Sequence, residues 1–126
     1  MGNKLFVSCP MKGRNKDDIE ISIKTLHKVA EIMFDKKLDV IQTYIQDDAP
    51  DGINSGLWYL GKSIEKLAGA DYFIGCSNLD FASGEGRFSA CEIERHAAAS
   101  YGIPNTFINC RDFKCFDDVM KNENRA

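Results

Sequence analysis

The amino-acid sequence predicts a single α/β domain, residues 1–126, built on a parallel sheet of four to five strands with helices on both faces. Three observations lead there: short apolar β-prone runs, amphipathic helical stretches alternating with them across short connections, and a length usual for one domain. Alternation of this kind implies right-handed crossovers, hence parallel strands. The formal charge of −3 is scattered along the chain, which argues against a nucleic-acid polymer as partner. No apolar run reaches membrane-spanning length and the start lacks a basic-then-apolar leader pattern, so a cytoplasmic protein without membrane contact is expected.

Leu5-Phe6-Val7 reads as a buried first strand closed by Ser8-Cys9-Pro10, with Met11-Lys12-Gly13-Arg14 completing the loop. Asn15 with Asp18 marks a helix start, and Ile19, Ile23, Leu26, Ala30 and Met33 recur at helical spacing. Val40 to Tyr44 looks like a second strand, followed by turn-forming residues from Asp47 to Gly52. Leu57, Leu60, Ile64 and Leu67 mark a second helix that ends near Gly69, and Asp71 to Cys76 gives a third strand. Beyond a Gly, Ser and Asp-rich loop, Ser89 with Glu92 forms a capping-box signature for a helix running to Tyr101 and stopped by Gly102. Ile103 to Ile108 reads as the last strand, and the tail from Phe113 as a short closing helix.

In open parallel sheets, ligands bind outside the carboxyl ends of the strands, where strand order reverses. The loops leaving those ends here are 8–14, 46–56 and 77–88. The first combines a glycine, two cations (Lys12 and Arg14) and a helix amino terminus, a seat for an anion or an ordinary strand-to-helix turn. It fits no full dinucleotide or Walker fingerprint, and it lacks the hydroxyl-rich cradle a flavin phosphate needs, so no cofactor is expected. Five cysteines without CxxC spacing and two distant histidines argue against a zinc site or a disulfide framework, and no metal is expected. His27 and His96 read as surface residues. Trp58 and Tyr59 either stack on a base or simply pack.

On the third helix, Glu92 has a structural duty as the cap of Ser89, whereas Glu94 has none. Glu94 sits one turn further, where the helix dipole favours an ionised carboxylate; it is a candidate nucleophile or a solvated helix glutamate.

From Glu94 to Gly102-Ile103-Pro104 the chain resembles the nucleophile helix of the nucleoside 2-deoxyribosyltransferase superfamily, with its Glu, small-residue helix and Gly-x-Pro. Phe6 to Arg14 is similar to that superfamily's opening strand and Gly-Pro-Met-x-Gly-like turn, with Cys9 in place of the usual glycine. Leu57 to Ser63, Ala70-Asp71 and Ala90 to Glu94 look most like an uncharacterised deoxyribosyltransferase-like branch of bacteria and phages. The resemblance spans nearly the whole chain. It implies a flavodoxin-like, Rossmann-like three-layer sandwich, a nucleoside or nucleoside 5′-monophosphate as substrate, and Glu94 as nucleophile at the anomeric carbon. It further implies substrate binding by Ser8, Cys9, Met11, Gly13, Arg14, Ser63 and Ser89, with Arg14 suited to a phosphate, and a homo-oligomer.

One departure stands against catalysis: where characterised transferases place an aspartate that assists departure of the base, this chain has Ser63. Asp47, Asp48 and Asp80 are the candidate substitutes, and Asn122 and Asn124 are weak candidates to complete a neighbour's site. Two functional readings therefore go forward, an N-glycosidase or deoxyribosyltransferase and a module that binds a nucleotide without turning it over. A protein-contact scaffold is a third, which leaves the loop composition unexplained.

Overall fold

The computed structural model describes residues 2–11, 13–43, 45, 47–77 and 89–119. Along them run β1 (Lys4–Val7), α1 (Lys16–Phe34), β2 (Asp39–Val40), α2 (Ser55–Leu67), β3 (Tyr72–Ser77), α3 (Ser89–Ser100) and β4 (Asn105–Asn109). The strands form one parallel sheet in the order β2-β1-β3-β4, covered by helices on both faces. The fold is thus a three-layer α/β sandwich of flavodoxin or Rossmann type. Among the described residues no helix is long and apolar enough to cross a membrane.

Period-two alternation sorts the core. Leu5 and Val7 of β1 join Tyr72, Ile74 and Cys76 of β3 beneath Leu26 and Ala30 of α1, with Phe116 and Val119 of the tail closing the same layer. Phe6 and Phe73 point the other way, onto Leu67 of α2 and Ala98 of α3. In register, their rings stack with centroids 5.8 Å apart. A strand buried on both faces has no polar side, which is why β1 and β3 read as continuous apolar runs.

The helix boundaries follow from local chemistry. The Asn15 side chain accepts the Asp17 and Asp18 amides at 2.9 and 3.2 Å, capping α1 as expected. Asn54 does the same for α2 through the Leu57 amide. Gly102, at φ 77°, ends α3: its amide bonds the Ala99 carbonyl and the Ile103 amide bonds that of Ala98, a Schellman closure that a left-handed residue permits.

Several expectations need correction. β2 is only two residues long and does not reach Tyr44; as the outer strand, paired on one side, it continues no further than the Ile41 amide bonding the Leu5 carbonyl. Met33 and Leu57 are exposed, because each helix rests one narrow stripe on the sheet. Ser89 is the first residue of α3 and not a cap outside it, while Glu92 pairs with Arg95 at 2.8 Å. His27 is half-buried, its Nε2 2.7 Å from the Leu38 carbonyl. β4 starts at Asn105, after Pro104, and the tail begins with two 3-10 turns, Cys110–Asp112 and Lys114–Phe116.

Phe73 is fully buried at the junction of β1, α2 and α3. Phe73→Ala is expected to cost about 3–5 kcal/mol, read as a lower urea midpoint at an unchanged slope.

Candidate functional site

The sheet order places the site. From β1 the chain goes to β2 on one side, then crosses to β3 on the other, so the connections diverge at the carboxyl ends of β1 and β3 and leave a crevice. A cavity of about 850 Å³ lies there. One wall is the end of β1 and its loop, with Ser8, Cys9, Pro10, Met11 and Gly13; the opposite walls are Tyr59, Leu60 and Ser63 of α2 and Ala90, Cys91 and Glu94 of α3.

Glu94 dominates the electrostatics. Its side chain is 7% exposed, and the Ser8 hydroxyl donates to Oε1 at 2.6 Å. Alternation explains the reach of Ser8, which continues the Phe6 face of β1 toward α2 and α3. The Ser63 hydroxyl faces the same carboxyl from α2 and helps hold its pKa down. Burial pushes the Glu94 carboxyl above the ordinary glutamate range, and the two hydroxyl bonds oppose that rise. Glu92, equally buried, has Arg95 at 2.8 Å as a cation, whereas no described cation pairs with Glu94. One carboxylate is neutralised in place, and the other, among the described residues, has hydroxyls as its hydrogen-bond partners in the cavity. A carboxylate so placed can act as a general base or a nucleophile.

The structure brings Ser8, Cys9, Met11, Gly13 and Ser63 together with Glu94. It does not bring Arg14. Its side chain is fully buried on the far side of the loop, where Nε and Nη2 form a fork with Asp118 at 2.8 and 3.0 Å and Nη1 bonds the Pro10 carbonyl. The expectation that Arg14 holds a phosphate is therefore corrected: a buried ion pair with this many partners leaves the guanidinium no face toward the cavity. Asp47 and Asp48 are exposed and do not line the cavity. Lys12, Asp80, Asn122 and Asn124 lie outside the described residues, as does the side chain of Ser89.

Thr43, Ser55, Leu60 and Cys91 also line the cavity without having been singled out in the sequence. Helical spacing signals two of them: Leu60 lies three residues before Ser63, and Cys91 three before Glu94. Thr43 follows the short β2 in irregular chain and carries no such signal. Tyr59 stands at the wall, and Trp58 packs edge-on against it at 5.0 Å under Lys62.

The thiols behave as core residues. Burial pushes the Cys9 and Cys76 thiols upward, away from the reactive thiolate, and Cys76 Sγ donates to the Ser8 carbonyl at 3.6 Å. All five cysteines are free, and the described residues contain no cluster of three or more potential metal ligands.

Comparison of the chain with known family models, curated proteins and solved structures returns no match.

The raised Glu94 pKa has a stability consequence. Below the ordinary glutamate value folded and unfolded chains both hold the proton; as pH rises through the raised folded value, the native state must ionise a poorly solvated group and loses stability. Glu94→Gln is therefore expected to stabilise the fold near neutral pH by on the order of 1 kcal/mol, read as a higher thermal midpoint. That gain should vanish on acidification below the ordinary glutamate value, as paired melting curves would show.

Proposed function

We propose that the protein cleaves or transfers the N-glycosidic bond of a nucleoside or nucleoside 5′-monophosphate, with Glu94 as nucleophile. The carrying observation is the buried Glu94 carboxyl, faced by Ser8 and Ser63 and by no described cation, in a cavity at the switch point of a parallel sheet. The sequence resemblance supplies the bond, and the geometry is compatible with it. An oxygen of Glu94 forms a bond to the anomeric carbon as the C–N bond breaks, through an oxocarbenium-like transition state. The bonding pair leaves with the base, which takes up a proton. Water then displaces Glu94 from the glycosyl ester in a hydrolase, or a second base does so in a transferase. Tyr59 offers an aromatic face at the cavity wall where a base can stack.

Ser63 favours a second reading, a module that binds the nucleoside without turnover. A serine hydroxyl cannot protonate a departing base at neutral pH, and here it faces Glu94. The resemblance also points to a homo-oligomer, and a cytoplasmic location is part of the same proposal.

Incubation with a panel of nucleosides, deoxynucleosides and their 5′-monophosphates, followed by chromatography of free base, separates the readings. Base release abolished by Glu94→Ala supports the enzyme, whereas calorimetric binding with every ligand recovered intact supports the module. Because the nucleophile must be ionised, release is expected to fall on acidification at a pH above the ordinary glutamate range.

A further inference from the structure

We propose that Arg14 and Asp118 are positioning residues for this cavity: the ion pair of the buried guanidinium with Asp118 locks the loop after β1 and so sets the Ser8 hydroxyl on Glu94. The catalytic consequence rests on the function proposed above, whereas the positioning itself can be read without any substrate.

Arg14 is a hub between three parts of the chain. Its Nη1 holds the Pro10 carbonyl at 2.9 Å, and Pro10 is two residues beyond Ser8. Its Nη2 reaches Ser22 of α1 and the Cys115 carbonyl of the tail, both at 2.9 Å, besides Asp118. Ser22 also donates to the Cys115 carbonyl at 3.1 Å, and the guanidinium lies 5.3 Å from the centre of the Phe116 ring. The tail is thereby fastened beneath the loop that supplies one wall of the cavity.

The anchorage matters because the loop has few internal bonds of its own. Among the described residues its backbone is held by the Ser8 amide on the Ile74 carbonyl and the Cys76 thiol on the Ser8 carbonyl at one end, and by the Arg14 amide on the Met11 carbonyl at the other. Between them, the Pro10 carbonyl is held by Arg14. A bond of 2.6 Å from Ser8 to Glu94 tolerates little movement, since hydrogen bonds weaken steeply as distance and angle depart from the optimum. Lysine cannot substitute for the guanidinium, because the fork reaches two carboxylate oxygens and two carbonyls at once. Among the described residues, the charged and titratable groups facing Arg14 are Asp118 from the tail, Asp18 from α1 and the Cys9 thiol from the loop; Glu94 is faced by the same Cys9 thiol and by the hydroxyls of Ser8 from the loop and Ser63 from α2.

The test uses Arg14→Lys and Asp118→Asn in the full chain, with Asp118→Glu as the conservative variant that keeps the ion pair. Carbon-13 NMR of the Glu94 carboxyl reports its titration without ligand, and the pH profile of base release reports it during turnover. Weakening the Ser8 bond removes a force that holds the Glu94 pKa down. In Arg14→Lys and Asp118→Asn the titration should move upward by roughly half a unit or more, the acid limb of base release should follow, and Asp118→Glu should restore both. A Glu94 titration unchanged in folded Arg14→Lys or Asp118→Asn, with only the melting temperature lowered, overturns the proposal and leaves the pair a stability element. If neither of those variants folds, Ser22→Ala, which removes one partner of the Arg14 Nη2, decides: a Glu94 titration shifted upward supports positioning and an unshifted one overturns it. Wild-type protein that releases no base from any substrate sinks the proposed function alone, since the ligand-free titration still decides the positioning.

Discussion

The hydrogen bond from Ser8 to Glu94 joins the two halves of the molecule that matter, the central strand and the third helix. It spans 86 residues of sequence and exists because β1 sits in the interior of the sheet while α3 packs over the face that carries Phe6 and Phe73. A carboxylate in such a place is costly, since burial disfavours its charge. Two hydroxyls offset part of that cost and no described cation offsets the rest. Burial thus makes the neutral form of this side chain less costly than the charged one, a pattern common where function constrains a residue.

The same interaction explains why the rest of the fold is arranged as it is. Phe6 and Phe73 stack beneath the crevice, α2 brings Ser63 and Tyr59 to one side, and the tail fastens the β1 loop from behind through Arg14. Gly75 contributes by absence: a Cβ there would stand 2.9 Å from the Phe73 ring and 3.9 Å from the Ser8 side chain, so a larger residue would press directly on the floor of the site.

Much of the architecture was legible in the sequence because its signals are local. Asn15, Gly102 and the apolar runs of β1 and β3 each announce an element through chemistry confined to a few neighbours. The failures lie where long-range packing decides. Val40 to Tyr44 has strand-like residues, yet only two residues on that edge pair with β1. Met33 has helical spacing, but it lies off the stripe that α1 buries and is exposed. In the site, Glu94, Ser8 and Ser63 stood out through residue type, position at the sheet edge and a resemblance. Arg14 misled for a physical reason: a cation beside a glycine in a strand-to-helix loop looks the same in sequence whether it faces a ligand or a half-buried aspartate 104 residues away.

The central claim, a Glu94 carboxylate that attacks a sugar, is tested most directly by mass spectrometry of protein incubated with a 2-fluoro-substituted nucleoside. Fluorine destabilises the oxocarbenium-like transition state, and a glycosyl ester that still forms in spite of it should persist long enough to detect. The expected result is a mass gain of one fluorinated sugar located on the Glu94 peptide and lost in Glu94→Gln. An unmodified chain under conditions where base is released, or a sugar attached to another side chain, would contradict it.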